Sequence, residues 1–148
     1  MTEVLFYHLE HFPLERVLPS LLEKTLERGW RAVVQAGSEE RVEALDNHLW
    51  TYREESFLPH GSARDGSPAQ QPIFLTSGEE NPNGAQVRFL VDGAACAFEG
   101  YTRMVVMFDG RDEEARARAR GQWKSAKDQG CTVTYWQQSP EGRWEKKA

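Results

Sequence analysis

RAVVQAGSEERVEALDNHL, residues 31–49, contains two hydrophobic rhythms back to back. Ala32, Val33 and Val34 form a short unbroken apolar run, the pattern of a strand buried on both faces. After Gly37 the rhythm changes. Val42, Leu45 and Leu49 recur at helical spacing and form a buried stripe. Ser38 stands where a helix cap is needed, and Glu39 and Glu40 fall in the first turn, where the helix dipole favours anions. The span reads as a strand followed by a helix.

The same alternation extends outward in both directions. EVLFYHL (3–9) reads as a first strand. Residues 13–29 read as a helix, with Leu14, Val17, Leu18, Leu21, Leu22 and Leu26 at helical spacing. Pro13 suits a first helical position and Gly29 a stop, whereas Pro19 removes one backbone bond and predicts a kink or a shifted start. IFLTSG (73–78), VRFLVDG (87–93) and TRMVVMFDG (102–110) read as further strands. The turn-rich 59–72 and GEENPNGA (78–85) read as loops. Asp112 to Gln129 form the last long helix, CTVTYWQQ (131–138) a final strand, and 139–148 a loose tail. Strands alternating with helices predict a single α/β domain over 1–148. Its sheet is largely parallel with helices on both faces, a Rossmann-like three-layer arrangement.

The 148 residues suffice for one core, and 39% hydrophobic with 28% charged residues marks a globular chain. No apolar run is long enough to cross a bilayer or resembles a signal peptide, so cytoplasmic residence is expected. The net charge of −5 argues against nucleic acid as the main ligand. Cys96 and Cys131 sit in no CxxC pair and read as reduced, buried thiols.

Catalytic patterns are missing where an α/β sheet would carry them. There is no GxxxxGK[ST], no GxGxxG after the first strand and no GxSxG. His8 and His11 flank a strand end, where a three-residue spacing does not converge on a metal. Asp109 in MFDGRD reads as a turn residue. Neither a cofactor nor a metal is expected.

Two segments stand out. In LDNHLWTYREESFLPHG (45–61), Trp50 lies roughly 110° around the helix from the Val42–Leu45–Leu49 stripe. Either the following loop covers it, or Trp50, Phe57 and Pro59 form an apolar patch for a partner. In the last helix Arg116, Arg120, Lys124 and Lys127 make a basic stripe, and Ala115, Ala119, Trp123 and Ala126 a neighbouring small or apolar one. This suits an ordinary helix matched to its dipole. It equally suits a docking site for an acidic peptide with an apolar anchor, or for single-stranded nucleic acid.

Taken together, these segments resemble the chi-subunit family of bacterial DNA polymerase III. The resemblance rests on Leu45, Asp46, Leu49 and Trp50, followed by Ser56, Phe57, Pro59 and His60, and on the element order over nearly the whole chain. It implies a non-catalytic accessory subunit of the replicative polymerase. Such a subunit links the clamp loader, through the small psi subunit, to the acidic C-terminal tail of single-stranded DNA-binding protein. The psi-facing surface would fall on Trp50, Phe57, Pro59 and His60. The tail site would fall on Arg120, Trp123 and Lys124, with Arg116 on the same basic stripe; the family's aromatic there is commonly tyrosine. The alternatives are a degenerate nucleotide-binding α/β enzyme and a direct single-stranded DNA binder.

Overall fold

The computed structural model describes residues 2–51, 60–62, 67–97 and 100–147, with the side chains of Trp50 and Thr51 outside that description. The elements are β1 (Glu3–Leu9), α1 (Leu14–Glu27), β2 (Ala32–Gln35), α2 (Glu39–Thr51), β3 (His60–Ser62), β4 (Ile73–Thr76), β5 (Val87–Leu90), β6 (Arg103–Asp109), α3 (Glu113–Asp128), β7 (Thr132–Gln138) and β8 (Trp144–Lys146). They form one sheet in the order β3-β4-β2-β5-β6-β1-β7-β8. The pairs are parallel except β7 with β8. The expected α/β architecture with a largely parallel sheet is therefore present.

Strand alternation divides the core in two. On one face Leu18 and Leu22 of α1 and Val42, Leu45 and Leu49 of α2 pack on Val34, Leu75, Phe89 and Val105. On the other, Ala119 and Ala126 of α3 lie over Val4, Phe6, Met104 and Val106. Full burial of each large apolar side chain contributes about 1.5–3 kcal/mol. Alanine on α3 lets the helix approach the sheet closely.

Local signals acted as their chemistry requires. Ser38 accepts the Arg41 N–H at 3.3 Å. Pro13 takes the cap position before α1, extended at φ −72° and ψ 163°, one residue earlier than expected. Pro19 lies inside α1 without ending it.

Two expectations are corrected. Residues 60–62, expected in a loop, pair with β4 as an edge strand. The segment 139–148, expected as a loose tail, is tied to the sheet over its described residues, because Trp144–Lys146 pair antiparallel with Gln138–Trp136. The three residues of β8 are too few to show a period. Their anchor is tertiary: Trp144 meets Tyr7 edge-on at 4.8 Å between centroids. Gln138 adds a second tie, its Oε1 accepting backbone N–H groups from Glu10, His11 and Phe12.

One buried charge lies in the sheet. Arg88 is wholly inaccessible. Its Nε and Nη2 donate to Gln35 Oε1, Nη2 also to the Gly78 carbonyl, and Nη1 to the Glu80 carbonyl and the Tyr101 hydroxyl. Neutral acceptors thus meet the whole donor set of the guanidinium. The arginine ties the loops after β4 and β5 to β2.

Candidate functional site

Asp112 caps α3, accepting the N–H groups of Glu114 (2.9 Å) and Ala115 (3.3 Å). The helix then runs with Ala119 and Ala126 against the sheet, so the residues on one flank face the β1–β7 side. Trp123 occupies that flank, half-buried. Its ring lies 5.4 Å from Phe6 and 5.8 Å from Tyr135, centroid to centroid. It is partly a core residue with one region left at the surface. Lys127 Nζ stands 5.4 Å from its ring centroid, a cation–π contact.

Arg120 and Lys124 are exposed, and Arg116 is half-buried. Arg116, Arg120, Trp123 and Lys127 share one stripe, with Lys124 turned further toward solvent by helix geometry. Arg116 Nε is buried with no hydrogen-bond partner among the described residues. Tyr135 was not foreseen as a neighbour. Its hydroxyl bonds His8 Nδ1 at 2.5 Å. Burial pushes the Tyr135 hydroxyl pKa up, aided by Glu10 and opposed by Arg116 and Arg120. Burial pushes the His8 pKa down against the pull of Glu10. The signal that could have found Tyr135 is alternation on β7, which places it on the same face as Val133, toward α3. This shelf offers exposed cations beside an aromatic wall.

The second set is divided. Trp50 lies in α2 with its side chain outside the described residues, and Phe57 and Pro59 are outside them altogether. His60 is buried, with no exposed side-chain area. Its Nε2 lies 3.1 Å from Asp46 Oδ1 and 3.2 Å from the Asp46 carbonyl. The ring therefore holds β3 to α2 and is not a surface contact in this chain.

A cleft of about 390 Å³ opens beside the carboxyl ends of β1, β5 and β6, where this architecture usually holds ligands. Charged side chains in it engage one another. Arg41 bonds Asp92 (2.8 Å) and Glu15 (2.9 Å), and Arg111 lies 3.3 Å from Asp109. Among the described residues no group of histidine, cysteine and carboxylate side chains could hold a metal, and no helix is long and apolar enough to cross a membrane. Cys96 and Cys131 are free and half-buried.

The family described as DNA polymerase III chi subunit, HolC, matches residues 1–134. A Rickettsia prowazekii protein named "Probable DNA polymerase III subunit chi" is 33% identical over 91 residues, covering 62% of this chain and 55% of that protein. The chain thus spans about half the length of that relative. A Pseudomonas aeruginosa protein named "DNA polymerase III subunit chi" is 28% identical over 110 residues, 74% of this chain and 76% of its own. With the family match running from β1 into β7, the chain belongs to the DNA polymerase III chi subunit family, whose members are accessory rather than catalytic subunits.

Proposed function

We propose that this protein is a replisome accessory subunit that tethers the clamp loader, through psi, to the C-terminal tail of single-stranded DNA-binding protein in the cytoplasm. The observation that carries the reading is the α3 shelf: exposed Arg120 and Lys124 beside the half-buried Trp123 ring. The cations meet the tail's acids and terminal carboxylate through charge-assisted bonds, and Trp123 walls the place of its apolar end. Arg116 and Lys127 add positive charge along the same flank. Exposed pairs are screened, so each tail is held weakly, and many tails near the fork raise the effective concentration.

For psi, the reading keeps Trp50, Phe57 and Pro59 as the apolar contacts. His60 is assigned a supporting part, because its ring is buried against Asp46. It fixes the end of the segment that carries the others.

The test is a titration with a fluorescent peptide that has an acidic run ending in Pro-Phe. Saturable binding, weakened by salt and by Arg120→Ala and Lys124→Ala, is the expected result. Absence of binding at low salt removes the tail-tethering function.

A further inference from the structure

The sheet face opposite α3 carries a second aromatic and basic site. α1 covers part of that face and stops short of the β7–β8 edge. There Tyr7, Trp136 and Trp144 line a pocket of about 260 Å³ with Leu21 of α1. Both tryptophans are half-buried, and Trp144 is held edge-on to Tyr7. The pocket holds one large apolar side chain and little more.

Its rim is positive on both sides. Lys24 and Arg28, in the last turn and at the end of α1, line one bank and are exposed. Neither makes an ion pair among the described residues, and Arg28 leans on Trp30 at 5.2 Å from its ring centroid. On the other bank Lys146 pairs with Trp136 across β7–β8, and strand alternation puts it on the same face as Trp144. Arg103 also lines the pocket but is already met by Glu3 at 2.6 Å. Lys24 and Arg28 at the lining, and Lys146 next to Trp136 on the same sheet face, none of them in an ion pair among the described residues, therefore stand around a pocket walled by three aromatic rings in a chain whose net charge is −5.

We infer that the Tyr7–Trp136–Trp144 pocket is a docking site for an acidic protein segment with an internal aromatic or large aliphatic anchor, separate from the α3 shelf. The anchor is internal because cations flank the pocket on both banks, so acids are wanted before and after it. A peptide is favoured over a nucleic acid strand because the pocket is concave and sized for one side chain. Three cations also make a poor electrostatic footprint for a phosphate backbone.

The probe is an acetylated, C-terminally amidated, fluorescein-labelled peptide with two aspartates on each side of one phenylalanine. It lacks the free carboxyl end proposed for the α3 shelf. It is titrated into the full chain carrying Arg120→Ala and Lys124→Ala, which silences that shelf. The expected result is saturable binding, roughly tenfold weaker with Lys24→Glu and Arg28→Glu and again with Lys146→Glu alone, and lost when the phenylalanine becomes alanine. No binding, or binding indifferent to those substitutions, overturns the inference. So does an oligothymidylate of matched charge that binds more tightly and is weakened by the same variants, since the pocket would then serve nucleic acid. Failure here leaves the α3 shelf untouched, because that site is read with the Pro-Phe peptide and the unsubstituted chain.

Discussion

The Trp123 ring sits 5.8 Å from that of Tyr135, at 74° between planes, so α3 and β7 meet edge to face. The same tryptophan packs on Phe6 of β1. A structural role and the proposed tail-binding role thus fall on one side chain and can be separated experimentally. Trp123→Ala is expected to cost about 2–3 kcal/mol in chemical denaturation, below the full-burial range because the ring is half exposed. Arg120→Ala, an exposed change, should stay within about 0.5 kcal/mol of the parent while weakening the tail peptide. Equal stability losses in both variants would contradict this division.

Salt separates the cationic from the apolar share of the proposed tail binding. Raising ionic strength from 0.05 to about 0.5 M shortens the screening length to a few ångströms. The Pro-Phe peptide should then weaken steadily for the parent and less steeply for Lys124→Ala, which lacks that one share of the charge while Arg116, Arg120 and Lys127 keep theirs. A titration series at fixed temperature tests it, and parallel slopes would dissociate Lys124 from the contact.

Arg88 has no carboxylate partner among the described residues, so its stability rests on neutral acceptors, two of whose bonds end on Gln35 Oε1. Gln35→Leu leaves buried, charged N–H groups without acceptors. The expected loss is about 3 kcal/mol, read as a lower denaturation midpoint with an unchanged slope. Gln35→Glu supplies an ionised acceptor and should recover most of it at neutral pH.

His8 makes stability depend on pH. Burial lowers its folded pKa below the ordinary 6.5. The unfolded chain therefore binds the proton more readily, and stability rises with pH across the window below 6.5. The contribution is present at neutral pH and is lost on acidification through the unfolded value toward the folded one. Melting temperature should fall between pH 7.5 and 5.5, and the fall should be shallower in His8→Asn. An identical pH profile in the variant would exclude His8 as the titrating group.

The His60–Asp46 contact tethers a strand of only three residues to α2. His60→Ala should raise amide hydrogen exchange in β3 well before that of β1 or β6 changes. Global stability should drop by about 1–3 kcal/mol. The proposed binding of psi, measured in the same variant, should weaken in proportion to the loosening of this edge.

Much of the architecture could be read from the chain because buried parallel strands and amphipathic helices carry dense local signals, as in Ala32–Val34 followed by Val42, Leu45 and Leu49. β3 and β8 escaped. Each has three residues, and each is held by a distant partner, Asp46 for one and Tyr7 for the other. VRFLVDG reads as a strand, but nothing local marks Arg88 as buried; only its bonds to Gln35 of β2 and to the loops after β4 and β5 show why it is inside. At the candidate site the basic stripe was visible, since helix periodicity arranges it. The packing of Trp123 on Tyr135 was not, because it depends on β7 lying next to β1.

The strand order also has a mechanical meaning. The end of α2 with β3 lies at one margin of the sheet and α3 with β7 near the other, six inter-strand steps away, or about 29 Å. A pull between partners held at these two places runs across the strands and loads the inter-strand hydrogen bonds one row at a time. The shortest row on that path joins β3 to β4, so tension would peel the sheet from that margin first.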